Sequence, residues 1–281
     1  MARAAAQRAA KAPGTSVVSW DEQFAAEAEV AAAMEKNAGG GGQWFSIRGG
    51  ILTFNGAPLP GNEMVAVVVD SILENAYFEG EFDPDNPQPP VCFAFGRDDD
   101  GMAPHQTVFD ADQAQNQTCK GCEKNVFGSA ERGKGKACKN TRRLALLAAG
   151  SIELPKREIT LFDTPEEFEK ETIGFLKLPV TSVAGWAAMV KRISASDRRP
   201  PHGFYMHISV VPDPKTQWRV LFNPAGKLPN EVMDAVMRKR QEAQALIEQP
   251  YNLEAREAPP PRGRAAPAAA AKTARGRASK F

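Results

Sequence analysis

Four cysteines, Cys92, Cys119, Cys122 and Cys138, fall within 47 residues and are all the cysteines of the chain. Cys119-Lys-Gly-Cys122 is a C-x2-C knuckle, in which a tight turn with glycine at its third position lets two sulfurs converge on one tetrahedral ion. Cys138 follows after fifteen residues and Cys92 precedes by twenty-six. Zinc–thiolate bonds of about 2.3 Å require four sulfurs within a few ångströms. The spacing meets that requirement if the short apolar segment 91–95 lies beside the knuckle. The expectation is one structural Zn2+ per chain, since four thiolates leave no open position for a reacting water. Three other readings stand beside it: Cys92 and Cys138 as buried apolar thiols, His105 in place of Cys92 as fourth ligand, and an iron–sulfur cluster on the same four cysteines. Zinc is preferred because there is one close cysteine pair and the intervening loop is highly polar.

A metal here has a definite task. The loop 123–137 contains Gly128, Gly133 and Gly135 and few side chains able to build a core. Metal-coupled folding substitutes for that missing burial. The loop and its flanks present Lys120, Lys124, Arg132, Lys134, Lys136, Lys139, Arg142 and Arg143. Glycines allow close backbone approach to phosphates, and the cations release condensed counterions. Phe127 is placed to stack on an unpaired base. These residues are the expected nucleic-acid contacts; a merely solvated loop, with Phe127 in a small local core, is the alternative.

The formal net charge of +1 conceals a segregation. Residues 70–112 hold eleven acids against Arg97, whereas residues 119–143 hold eight basic groups against Glu123 and Glu131. Adjacent segments of opposite sign make the local field more informative than the total. They also suggest that the acidic run competes with nucleic acid for the basic loop. The uncharged apolar run 64–69 is too short to span a bilayer, and no apolar stretch of the secretory kind follows the basic N-terminus. The expected setting is therefore cytoplasmic, with no membrane partner.

Holding these residues in place falls to a set of short strands and helices. Residues 1–18 form a flexible basic N-terminus. Ser19 with Glu22 starts a helix that runs toward Lys36 and stops at the glycine run 39–42, a hinge. A core spans 43–250, with the zinc subdomain at 92–143. Within the core, 44–54 reads as strand broken at Gly49-Gly50, and 64–73 is a β-branched strand. Segments 91–95, 158–162, 173–178, 204–211 and 218–222 also read as strands; 143–148 suits strand or helix. Thr164 with Glu167 opens a short helix, 183–193 is a helix, and Pro229 opens an amphipathic helix over 230–248 that Pro250 stops. Residues 251–281 are read as a disordered basic tail rich in Pro, Ala, Arg and Lys. The fold class is α+β, built on an antiparallel sheet or barrel with peripheral helices.

The segment Cys119-Lys-Gly-Cys122-Glu-Lys-Asn-Val-Phe127-Gly-Ser-Ala, with Gly133-Lys-Gly-Lys-Ala-Cys138-Lys-Asn, resembles proteins of tailed phages. In plan it is similar to phage helix-destabilising, single-stranded-DNA-binding proteins, which combine an OB-type barrel with an embedded zinc subdomain. The resemblance covers about fifty residues, 92–143, and is one of plan. It implies an OB-like sheet, zinc at the four cysteines, and sequence-tolerant single-strand binding in replication or recombination. It also implies partners among replication proteins, reached through the C-terminal tail. Many such proteins end in an acidic tail, whereas this chain ends basic at Lys280-Phe281.

Two rivals remain. A zinc-stabilised assembly or adaptor protein would use the same metal site. A metal-dependent nuclease would need the acids among Asp83, Asp85, Asp98, Asp99, Asp100, Asp110 and Asp112, which lack a strand-borne acid–x–Lys pattern. No P-loop, dinucleotide fingerprint or Ser/His/Asp arrangement is present, so no catalysis is expected.

Overall fold

The structure, a computed structural model, describes residues 43–80 and 88–254. The expected N-terminal helix and glycine hinge, Asp83, Asp85 and the tail beyond 254 lie outside the described residues. In chain order the elements are β1 (Gln43–Arg48), β2 (Ile51–Phe54), β3 (Ala57–Pro58), β4 (Glu63–Tyr77), β5 (Cys92–Gly96), α1 (Gln106–Asp110), β6 (Cys138–Ala148), β7 (Gly150–Glu153), β8 (Glu158–Leu161), α2 (Pro165–Lys170), β9 (Ile173–Leu178), α3 (Val180–Asp197), β10 (Phe204–Asp213), β11 (Gln217–Lys227) and α4 (Asn230–Leu246).

The apolar run that begins at Met64 becomes β4, the longest strand, because both of its faces are covered. A strand buried on both sides needs a continuous apolar run and not an alternating one. Val65, Val67 and Val69 pack under α4 and α2 through Val232, Ala235, Val236 and Phe168. Ala66 and Val68 pack under α3 through Trp186, Met189 and Ile193. The curled, half-barrel sheet runs β11-β10-β4-β6-β9-β1-β2-β3, with β5 also on β4, and β7-β8 form a separate pair. The mixed α+β class is as expected. The sheet is not wholly antiparallel, however: β1 lies parallel to β9, with Gln43 opposite Gly174.

Local signals account for several boundaries. The Gly49-Gly50 break is the turn of the β1–β2 hairpin, and both glycines take positive φ (58° and 79°), where a side chain is strained. Glu167 reaches back 3.0 Å to the Thr164 amide at the start of α2, one half of the capping interaction read from the sequence. The β10–β11 hairpin closes on Asp213, whose carboxylate accepts from the Lys215 and Thr216 amides at 2.9 and 3.0 Å. Residues 143–148 are strand, inside β6, because they are clamped between β4 and β9. The short α1 and β7 had no clear sequence signal.

One irregularity in β4 sets the facing of its C-terminal half. Val68 pairs with Leu146 and Asp70 with Ala145, so Val69 is an extra residue in β4. Such a bulge reverses which side chains face which layer. Beyond it Ile72 joins the α4 side, while Leu73 joins Ala94, Met102 and Cys119.

Candidate metal centre and nucleic-acid surface

Tyr77, the last residue of β4, pairs with Cys92 on one side and with Cys138 on the other. Directly opposed residues share a face, so both cysteines project to the α3 side, with Cα atoms about 10 Å apart across two strand spacings. The knuckle closes over this pair. The Cys119 amide donates to the Met102 carbonyl (2.9 Å), the Cys122 amide turns back to the Cys119 carbonyl (3.4 Å), and the Asn125 amide donates to Cys122 (2.8 Å). Gly121 takes φ 81°, which lets the turn close tightly. The Asn125 side chain also donates to the Cys119 carbonyl at 2.9 Å.

All four cysteines are buried and none is in a disulfide. Together with Tyr77, Lys124 and Asn125 they line a cavity of about 20 Å³, room for one water-sized body. The thiols share this cavity without closing on a common point: among the described residues no three His, Cys, Asp or Glu side chains form a ready metal-binding group. Burial, followed by the neighbouring Cys119, Cys92 and Cys122, pushes the Cys138 thiol up to about 12. Burial likewise raises Cys92 and Cys119. Burial thus disfavours the thiolate form of these three, and a cation entering there must displace their protons. His105 is not in the cavity lining. Its ring instead caps α1 by accepting from the Thr107 amide (3.3 Å) and stacks 5.4 Å from Phe93.

The loop after the knuckle is held by its own polar groups. The Gly128 amide donates to Gly135 (2.9 Å), and the Ser129 hydroxyl donates to Val126 while accepting from the Ala137 amide. At its surface Phe127 is 80% exposed, with no burial in a local core. The Lys136 ammonium lies 5.3 Å from that ring and also donates to the Asn125 side chain. Arg132, Lys134 and Lys139 are exposed nearby, and the Lys139 ammonium donates to the Lys136 carbonyl. Lys124 lies half-buried over the Tyr77 ring (5.1 Å), and Arg142 is half-buried with its guanidinium on the Thr141 carbonyl. Lys120 is exposed and paired with Asp100 at 2.7 Å.

Arg143 must be removed from the expected nucleic-acid contacts. Its side chain is 1% exposed. Successive residues of a strand point to opposite faces, and Arg143 stands opposite Ile72 on the α4 side, where Arg142 does not. There its guanidinium meets Glu74 at 2.9 Å and donates to the Ile247 and Gln249 carbonyls at 3.0 and 2.7 Å. It lies 4.1 Å from the Phe95 ring and 5.1 Å from Trp44. Glu74, fully buried, also pairs with Lys177 at 2.7 Å and accepts from the Tyr251 hydroxyl. Sequence reasoning missed this network. Its legible signal was weak, since Glu74 is one of three acids in β4, with Glu63 and Asp70. The tail boundary shifts too: Tyr251 packs 5.1 Å from Phe93, and Leu253 joins the same cluster, so the packed chain continues past 250.

Of the described acids considered for a nuclease, Asp100 pairs with Lys120, and Asp110 accepts from the Gln106 side chain at 2.8 Å. Among the described residues no helix is long and apolar enough to cross a membrane. No family model, curated protein or solved structure matches the chain.

Proposed function

We propose that the chain is a non-catalytic, sequence-tolerant single-stranded-DNA-binding protein of the phage helix-destabilising kind, acting in replication or recombination. The observation that carries this reading is the loop 123–137. A phenyl ring 80% exposed stands there with the Lys136 ammonium at 5.3 Å and with Arg132 and Lys134 exposed on the same loop, a segment rooted at both ends in cysteines; Lys139 follows just beyond Cys138. Rings that stack on bases beside cations that track phosphates are what sequence-tolerant single-strand binding requires. The finer, OB-like reading of the curled sheet belongs to the same proposal, as do replication partners reached through the basic tail.

In this reading Cys92, Cys119, Cys122 and Cys138 hold one Zn2+. The fit rests on four buried thiols lining one ion-sized cavity. The metal would supply structural cross-linking alone, since four thiolates complete a tetrahedron. The residues of the chain do the binding: the knuckle orients the loop, and the loop presents its ring and ammonium groups.

The test is fluorescence anisotropy of a labelled single-stranded oligonucleotide at several salt concentrations, with zinc quantified in the same sample. Log affinity is expected to fall with log salt at about −0.7 per phosphate engaged. Lys134→Ala/Lys136→Ala should make that slope shallower by about 1.4. Phe127→Ala should weaken binding about 5- to 150-fold at constant salt, the loss of one stacked base. One zinc with no binding at low salt would reject the function and leave an assembly or adaptor role for the metal-bearing protein.

The acidic run bears on the same measurement. Asp100 occupies Lys120 at 2.7 Å, and both side chains are largely exposed. Converting Asp98, Asp99 and Asp100 to Asn is expected to tighten binding by up to about 5-fold, the worth of an exposed ion pair. Unchanged affinity would remove the intramolecular competition.

A further inference from the structure

We propose that Phe78 and Lys177 form a second nucleotide contact, on the α4 side of the sheet end; this rests on the single-strand-binding reading above. Phe78 follows directly on Tyr77, the residue that lies between Cys92 and Cys138. Its ring is 40% exposed, and the Lys177 ammonium lies 5.2 Å from the ring centroid. The loop contact has the same composition, with Lys136 at 5.3 Å from Phe127.

The charge balance behind Phe78 favours an anion. Glu74 is the carboxylate paired with both Arg143 and Lys177, at 2.9 and 2.7 Å. Tyr251 adds a hydroxyl at 3.0 Å from the Lys177 ammonium but no charge while protonated. Two cations on one carboxylate leave a single positive charge in excess. Arg143 is sealed from solvent at 1% exposure, whereas Lys177 is 29% exposed. The excess therefore meets solvent at Lys177, beside an exposed aromatic face. A phosphodiester there completes the balance, and its neighbouring base lies on Phe78. Lys177 is also held in place, by Glu74 and Tyr251, so little side-chain freedom is lost when it engages an anion.

A strand that touches both Phe127 and Phe78 wraps the end of β4, from the cysteine-bearing face to the α4 face. A short oligonucleotide can engage one contact at a time, and a longer one both.

The experiment uses the full zinc-loaded chain with labelled oligothymidylates of about 4 and about 20 nucleotides, lengths that bracket the site size of a single-strand-binding domain. Phe78→Leu keeps the apolar bulk and removes the π face. It is expected to weaken the longer oligonucleotide about 5-fold or more, with a smaller effect on the shorter one and an unchanged melting temperature. Phe78→Trp should restore affinity, and the added indole emission should be quenched when the oligonucleotide binds. Wild-type affinity in Phe78→Leu, with Phe127→Ala still weakened, overturns the second contact and leaves the single-strand reading standing. Should Phe78→Leu melt lower, Phe78→Trp decides: quenching supports the contact, and unaltered emission at saturation rejects it. A wild-type chain that binds neither oligonucleotide removes both.

Discussion

Glu74→Leu is expected to destabilise the protein by about 3–5 kcal/mol, the usual cost of stripping one partner from a buried ionic network. Glu74 is fully buried and holds Arg143, 1% exposed, and Lys177, 29% exposed. Without the carboxylate, Arg143 keeps its two carbonyl acceptors, Ile247 and Gln249, but its charge has no counterion in a low-dielectric setting. The loss should appear as a lower midpoint in chemical denaturation. A change below about 1 kcal/mol would mean that water reaches the network and screens it. The same contacts set a pH dependence. Burial pulls the Glu74 carboxyl upward, but Lys177 and then Arg143 outweigh it and hold its folded value below 4.5. A depressed carboxylate contributes stability that is present above the unfolded value and lost as pH falls through the folded one. The stabilisation is thus complete above about pH 4.5 and disappears below it. Glu74→Gln should flatten the acid limb of a stability–pH profile; an identical limb would place the acid sensitivity elsewhere.

On the zinc reading proposed above, Cys138→Ser is expected to take the zinc content from one per chain to near zero and to release the loop 123–137, while the sheet survives. Structural zinc contributes roughly 10–16 kcal/mol of apparent binding free energy in small zinc-folded peptides, and such peptides unfold without it. This chain differs, because β4 and its neighbours bury apolar side chains under α2 and α4 on one face and under α3 on the other. That core does not include the cysteine loop. The far-UV circular dichroism should therefore remain near native, whereas protease sensitivity should rise within 123–137 and single-strand affinity should fall. A chelator should reproduce the variant. If Cys138→Ser retained one zinc per chain, the four-cysteine ligand set would be wrong.

The parts of the fold that were legible before folding are those governed by short-range chemistry. Pro229 precedes α4 and Gly49-Gly50 turn the first hairpin; each works through neighbours within a few residues. The strand character of β4 was also visible, in its run of β-branched residues, whereas its cover on both faces came from the packing of α2, α3 and α4. The cysteine group is an intermediate case. Its membership could be read from clustering, but that Cys92 and Cys138 flank one residue, Tyr77, comes from strand pairing alone.

Adjacent Arg142 and Arg143 show where sequence reasoning stops. Both stand in a basic run, yet one is half-buried at the cysteine-side face and the other is sealed behind Glu74 on the opposite face. Alternation along β6 guarantees that they part, but which goes where depends on the register with β4, and that register is offset by the extra residue Val69. The network that captures Arg143 joins Glu74, Lys177 and Tyr251 across up to 177 positions of chain. Such contacts carry no local pattern, because each residue is an ordinary member of its own segment and acquires a partner only when the sheet closes. By itself, then, the sequence determined the residue types of the candidate site, the turns, the caps and the apolar strands, all of them short-range effects. The tertiary structure alone decided which cations face solvent and which end of β4 gathers the thiols, since both depend on strand register and on the layer that covers each face.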